Sequence, residues 1–142
     1  MKRLIGRLWR LFLRAGWAPL LVLIVHQILL RNGWRENTDF LMHYSGGLSF
    51  AYFAYYALEE FDELLGKLSR LGHYVVTFLA TCTMALFWEF AEYAADGIFG
   101  KNIQHSIDET LWDLINGTLG GITTLLLLWI WGLRSRKVSQ VQ

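Results

Sequence analysis

Three long apolar runs, at residues 38–58, 73–95 and 112–133, constrain this chain more than any other feature. A bilayer core about 30 Å thick is crossed by about 20 mostly apolar residues in a helix, each rising about 1.5 Å. A fourth run, 17–30, reaches that length only by borrowing residues 11–13 across Arg14. The arginine can snorkel its charge back to the surface. At 142 residues and 54% hydrophobic, the chain suits one domain and is too apolar for a soluble one. The expected fold is all-α, an integral membrane bundle of about four transmembrane helices. It divides into a basic amphipathic segment at 1–16, a single transmembrane domain at 17–133 and a short basic and polar tail at 134–142.

The charges orient such a bundle. With both termini on one side, ten basic residues fall there: Lys2, Arg3, Arg7, Arg10, Arg14, Lys67, Arg70, Arg134, Arg136 and Lys137. Only Arg31, Arg35 and Lys101 fall on the other. The positive-inside rule then makes both termini cytoplasmic. Residues 1–16 set Leu4, Leu8, Leu11 and Phe12 along one face with arginines elsewhere, the pattern of an interfacial helix. Apolar residues interleave with nearly every charge there, which argues against a nucleic-acid arm. No small-x-small cleavage site follows Leu30, so the first run is expected to stay as an anchor and not to be removed as a signal peptide. The acidic loop after residue 58 suits a short solvated helix with a Glu63–Lys67 pair. Cys82, alone in an apolar stretch, suits packing and forms no metal-finger pattern.

Ionisable side chains inside a membrane cost about 2.5–3.5 kcal/mol each on insertion scales, so they require partners or a role. Asp39 and His43 are four apart, on one face of the second run. Glu89, Glu92 and Asp96 share a face of the third, and Asp113 and Asn116 share a face of the last. His105, Asp108 and Glu109 stand in the connection between those two runs. Span direction brings Asp39, His43, Glu89, Glu92, Asp96, His105, Asp108, Asp113 and Asn116 to similar depth on the outer side. They are expected to line an outward-facing pocket. Gly46, Gly47, Gly117 and Gly121 are placed for close helix packing. Trp88 is placed to wall the pocket. His26 and His73 suit interfacial positions, and most tryptophans lie near span ends, as an aromatic belt requires.

Such a cluster can bind a divalent cation, for which His43, Glu89, Glu92 and Asp113 are the candidate ligands. Neighbouring carboxylates can also do acid and base chemistry, as a membrane-embedded hydrolase or transferase would. The sequence does not decide between an enzyme and a binding protein. The favoured reading is a membrane protein that handles an envelope lipid headgroup or a small polar ligand. The alternative is a structural or accessory subunit whose polar cluster fixes helix packing. Expected partners are membrane lipids and a second copy or another membrane protein, with no nucleic acid.

Three stretches resemble a known group. Asp39-Phe40-Leu41-Met42-His43, with Gly46-Gly47 after it, is similar to the opening of VanZ-like membrane proteins. Phe87-Trp88-Glu89 through Asp96 is similar to their glutamate-bearing span. Gln104 through Gly121, carrying Asp113, Asn116 and Gly117, resembles the aspartate–asparagine–glycine signature they share with YjdF-type inner-membrane proteins, which it matches more closely. The resemblance implies a multi-pass protein of the bacterial cytoplasmic membrane. VanZ-like proteins are associated with resistance to the glycopeptide teicoplanin; Glu92 and the Asp108-Glu109 pair depart from their pattern.

Overall fold

The computed structural model describes residues 2–100, 103–104 and 106–139. All regular structure there is helical. Helix α1 (Lys2–Leu11) runs through a π-helical turn (Phe12–Gly16) into α2 (Trp17–Arg31). Helical backbone angles at Leu11, Gly16 and Trp17 keep this one rod, so the N-terminal basic stretch and the first apolar run are continuous. After a turn at Gly33, whose φ of 71° favours glycine, come α3 (Arg35–Glu60), the single turn α4 (Asp62–Leu65), α5 (Arg70–Phe99) and α6 (Ile107–Ser139). Ser69 caps α5 by accepting the Gly72 N–H at 3.1 Å. Ser106 starts α6 in the same way, accepting the Glu109 N–H at 3.1 Å, the Ser-x-x-Glu pattern of a capping box.

Among the described residues, three stretches are long and apolar enough to cross a membrane: Arg3–Arg31, Arg70–Phe99 and Ile107–Gly132. This corrects the expectation of four. Helix α3 has the length, 26 residues, or about 39 Å at about 1.5 Å per residue. Its composition falls short: Tyr44, Tyr52, Tyr55, Tyr56, His43, Ser45, Ser49 and two glycines dilute the apolar residues. The bundle explains why α3 differs, because it packs against α2, α5 and α6 and so presents little of its surface outward.

Polarity is inverted relative to a water-soluble bundle. Apart from Leu11, the buried positions are small or polar, including Ala15, Ser49, Ala51, Thr77, Thr81, Glu89, Asp113 and Thr124. Leu20, Leu21, Ile24, Ile28, Leu79, Phe87, Leu126 and Leu127 are exposed. Lipid tails solvate leucine as well as a protein core does, so close backbone packing and hydrogen bonds hold such a bundle. Buried threonines return their hydroxyls to the backbone one turn earlier, Thr81 to the Thr77 carbonyl and Thr77 to the His73 carbonyl, each at 2.8 Å.

Helices α3 and α6 run parallel and touch backbone to backbone. A Cβ on Gly47 would strike the Gly117 carbonyl, and one on Gly120 would strike the Tyr44 carbonyl. Two hydrogen bonds cross the same seam, Thr124 Oγ1 to the Leu48 carbonyl at 2.8 Å and Tyr44 OH to Thr123 Oγ1 at 2.9 Å. Helix α5 packs antiparallel to both, with Thr81 against Gly121 and His73 Nε2 2.9 Å from the Tyr55 carbonyl.

One end of the bundle is tied by charge. Arg10 reaches Glu60 at 2.6 Å, Arg7 reaches Glu63 at 2.9 Å, and Arg14 reaches Glu59 at 2.9 Å. Arg14 also lies over the Tyr56 ring at 3.9 Å. Glu63 therefore pairs with the N-terminal rod and not within its own loop. The acidic loop is a docking point for α1, and the rod is held antiparallel to α3.

Candidate functional site

The opposite end gathers the polar side chains of three helices. Helix periodicity sets Asp39 and His43 one turn apart on α3, facing α5 and α6. His43 Nδ1 lies 3.5 Å from Glu89 Oε1 of α5. On its other edge, Nε2 lies 3.7 Å from Asp113 Oδ2 of α6 and 3.8 Å from Asp39 Oδ1. The imidazole is thus the hub of the cluster, and its side chain is only 7% exposed. Glu89 is 3% exposed and Asp113 8%, so these are carboxylates withdrawn from solvent. Ionised carboxylates only accept hydrogen bonds, and two buried oxygens here, Asp39 Oδ1 and Glu89 Oε1, have no donor among the described residues.

A second layer orients these groups. Gln104 Nε2 donates to both the Glu89 carbonyl and Glu89 Oε2, each at 3.1 Å. Trp88 Nε1 donates to Glu92 Oε1 at 3.1 Å, and the edge of His26 meets the Trp88 ring with centroids 5.7 Å apart. Asp96 accepts the N–H groups of Ile103 at 2.7 Å and Gln104 at 2.8 Å. Gly100, at φ 60°, ends α5 and turns the chain towards these contacts. Asp96 therefore clamps the connecting loop so that Gln104 can reach Glu89.

Beside the cluster lies a cavity of about 290 Å³ between α2, α3 and α5. Val22, Leu23, Met42, Phe50, Phe53 and Met84 give it apolar walls, while His43, His26 and Trp88 give it a polar end. Gly46 lines it with no atom within 4 Å of where a Cβ would stand. Residues of α2, α3 and α5, with Gly117 of α6, line this space.

The structure thus brings together Asp39, His43, Glu89, Glu92 and Asp113. Asp96 serves the loop. Asp108 is exposed in the first turn of α6, where its charge suits the helix N-terminus. Asn116 is half-buried one turn beyond Asp113. His105 lies outside the described residues. Of the four glycines expected at helix contacts, Gly47, Gly117 and Gly121 occupy them, whereas Gly46 faces the cavity; Gly120 joins them instead. Sequence reasoning missed Gln104 and left His26 at the interface, yet His26 is buried against Trp88. The available signal for Gln104 was a long amide within eight residues of Asp96, in a connection too short to travel far.

Among the described residues, two sets have one ligand atom per residue, all within 4.8 Å of one another: Asp39, His43 and Asp113, and His43, Glu89 and Glu92. Both contain His43, and each contains one of the two donor-less oxygens. The family model described as "Predicted membrane protein (DUF2238)" matches residues 5–134, and the chain belongs to that family. It is the YjdF-type group that the Gln104–Gly121 stretch resembles. No curated protein and no solved structure matches the chain.

Proposed function

We propose that this DUF2238 membrane protein binds a lipid or related amphiphile of the cell envelope, its polar headgroup at the His43 cluster and its apolar part in the neighbouring cavity. One observation carries this reading: the imidazole at the hub of the carboxylate cluster also lines an apolar cavity of about 290 Å³. A pocket built only for a small polar solute has no need of a wall of Leu23, Phe50, Phe53 and Met84. A cluster that only fixed helix packing has no need of open space beside it.

In this reading the three apolar helices cross the bilayer and α3 packs among them. The basic end, rich in Lys2, Arg3, Arg7, Arg10 and Arg14, faces the cytoplasm with both termini, in the bacterial inner membrane. The cluster then opens to the outer leaflet. The likeness to VanZ-like proteins supports an envelope setting.

Gly46→Leu tests the reading. The new side chain enters the cavity without meeting a neighbour at its Cβ. Native mass spectrometry of the wild type, released from nanodiscs of inner-membrane lipid, is expected to show a retained lipid. The variant is expected to keep its fold and lose that lipid at least tenfold. Equal retention by both would refute the assignment of the cavity.

A further inference from the structure

We propose that Asp39 Oδ1, His43 Nε2 and Asp113 Oδ2 form a binding site for one divalent transition-metal ion of the zinc class, with Glu89 holding the imidazole from behind. The proposal deepens the preceding reading, because it rests on the cluster being a ligand site.

The distances point to a shared ion. His43 Nε2 stands 3.8 Å from Asp39 Oδ1 and 3.7 Å from Asp113 Oδ2. Direct hydrogen bonds would bring such atoms to about 2.7–3.2 Å. Ligands about 2.0–2.2 Å from a tetrahedral zinc ion stand about 3.3–3.6 Å apart. The observed spacings lie within a few tenths of an ångström of that value, and Asp39, His43 and Asp113 each offer a ligand atom within 4.8 Å of the other two. Asp39 Oδ1 is moreover buried with no donor among the described residues, and a cation would give it a partner.

The arrangement on the other edge of the ring matches what a metal-bound histidine needs. A ligating imidazole donates its second N–H to a carboxylate or carbonyl, which fixes its tautomer and orientation. His43 Nδ1 faces Glu89 Oε1 at 3.5 Å, and that oxygen, in a side chain only 3% exposed, has no hydrogen-bond donor among the described residues. Gln104 holds the other Glu89 oxygen at 3.1 Å, so the carboxylate is turned to present Oε1 to the ring. In the proposed site Glu89 is therefore the positioning residue, although it also belongs to the second ligand set, with His43 and Glu92. An imidazole with two carboxylates suits zinc and its neighbours; magnesium and calcium take oxygen shells with more ligands. Three protein ligands leave a fourth position for an oxygen from outside the protein.

The test uses the full chain in detergent, stripped with chelator and reloaded with Zn²⁺, then with Co²⁺. Elemental analysis is expected to give about one zinc per chain, undisturbed by a large excess of Mg²⁺. The Co²⁺ form is expected to show the visible absorption of a low-coordinate site and, by pulsed electron paramagnetic resonance, coupling to one imidazole nitrogen. Asp39→Asn and His43→Gln are expected to weaken Zn²⁺ binding at least 100-fold, and Glu89→Gln about 10- to 100-fold. Glu63→Gln, at the opposite end, should bind as wild type does. Absence of saturable Zn²⁺ binding to the wild type would overturn the proposal, as would unchanged binding in Asp39→Asn and His43→Gln. If those variants fail to fold, absence of nitrogen coupling in the wild type would do the same. Lipid retention by the metal-free wild type separates the two readings: retained lipid without metal binding removes only the ion. Metal binding that survives with no lipid retained removes only the amphiphile.

Discussion

Replacing Gly47 with alanine adds one methyl group at the tightest point of the α3–α6 seam. The new Cβ would overlap the carbonyl of Gly117, a backbone atom with no rotamer to escape by. Restoring ordinary contact requires the two helices to part by about 1–2 Å. Overpacking of this kind costs about 1–3 kcal/mol. The same separation breaks the Thr124–Leu48 and Tyr44–Thr123 hydrogen bonds, worth about 1 kcal/mol each. Alanine returns about 1 kcal/mol through its helix propensity. The net expected destabilisation is about 2–4 kcal/mol. The internal control is the neighbouring glycine: Gly46→Ala gains the same propensity and meets nothing within 4 Å. It should therefore be neutral or stabilising by up to about 1 kcal/mol. Reversible unfolding in mixed micelles with rising dodecyl sulfate, followed by tryptophan fluorescence, measures both. If Gly47→Ala fell within about 0.5 kcal/mol of Gly46→Ala, the backbone-to-backbone seam would be wrong.

Asp96→Ala should free the loop that carries Gln104, since it removes both acceptors of the Ile103 and Gln104 N–H groups. Hydrogen exchange at those two amides is expected to rise at least about tenfold, matching the loss of one or two charge-assisted bonds. At the charged end, a double-mutant cycle on Arg10 and Glu60 should give a coupling of no more than about 1 kcal/mol, falling with added salt, because Arg10 is largely exposed. Glu89→Gln and His43→Gln should reduce ligand or metal binding while leaving micellar unfolding within about 1 kcal/mol of wild type. A joint loss of stability and expression in both would instead make the cluster a packing device.

The apolar runs determined an all-helical membrane bundle, because no other spanning structure satisfies its backbone in lipid with segments of that length. Alternation of span direction also determined that Asp39, Glu89 and Asp113 lie at one end, since depth follows from residue count and helical rise. Periodicity fixes which residues share a face of one helix, but not how helices are rotated about one another. Only the packed bundle decided that His43 is the hub, that Asp96 turns to the loop, and that Asp108 faces outward. The same rotation sent Gly47 into the seam and its neighbour Gly46 into the cavity, about 100° away on the helix. It also explains the tyrosines and glycines of α3, which α2, α5 and α6 pack around. Local composition reports how each residue would fare against lipid, whereas the fold decides whether it meets lipid at all.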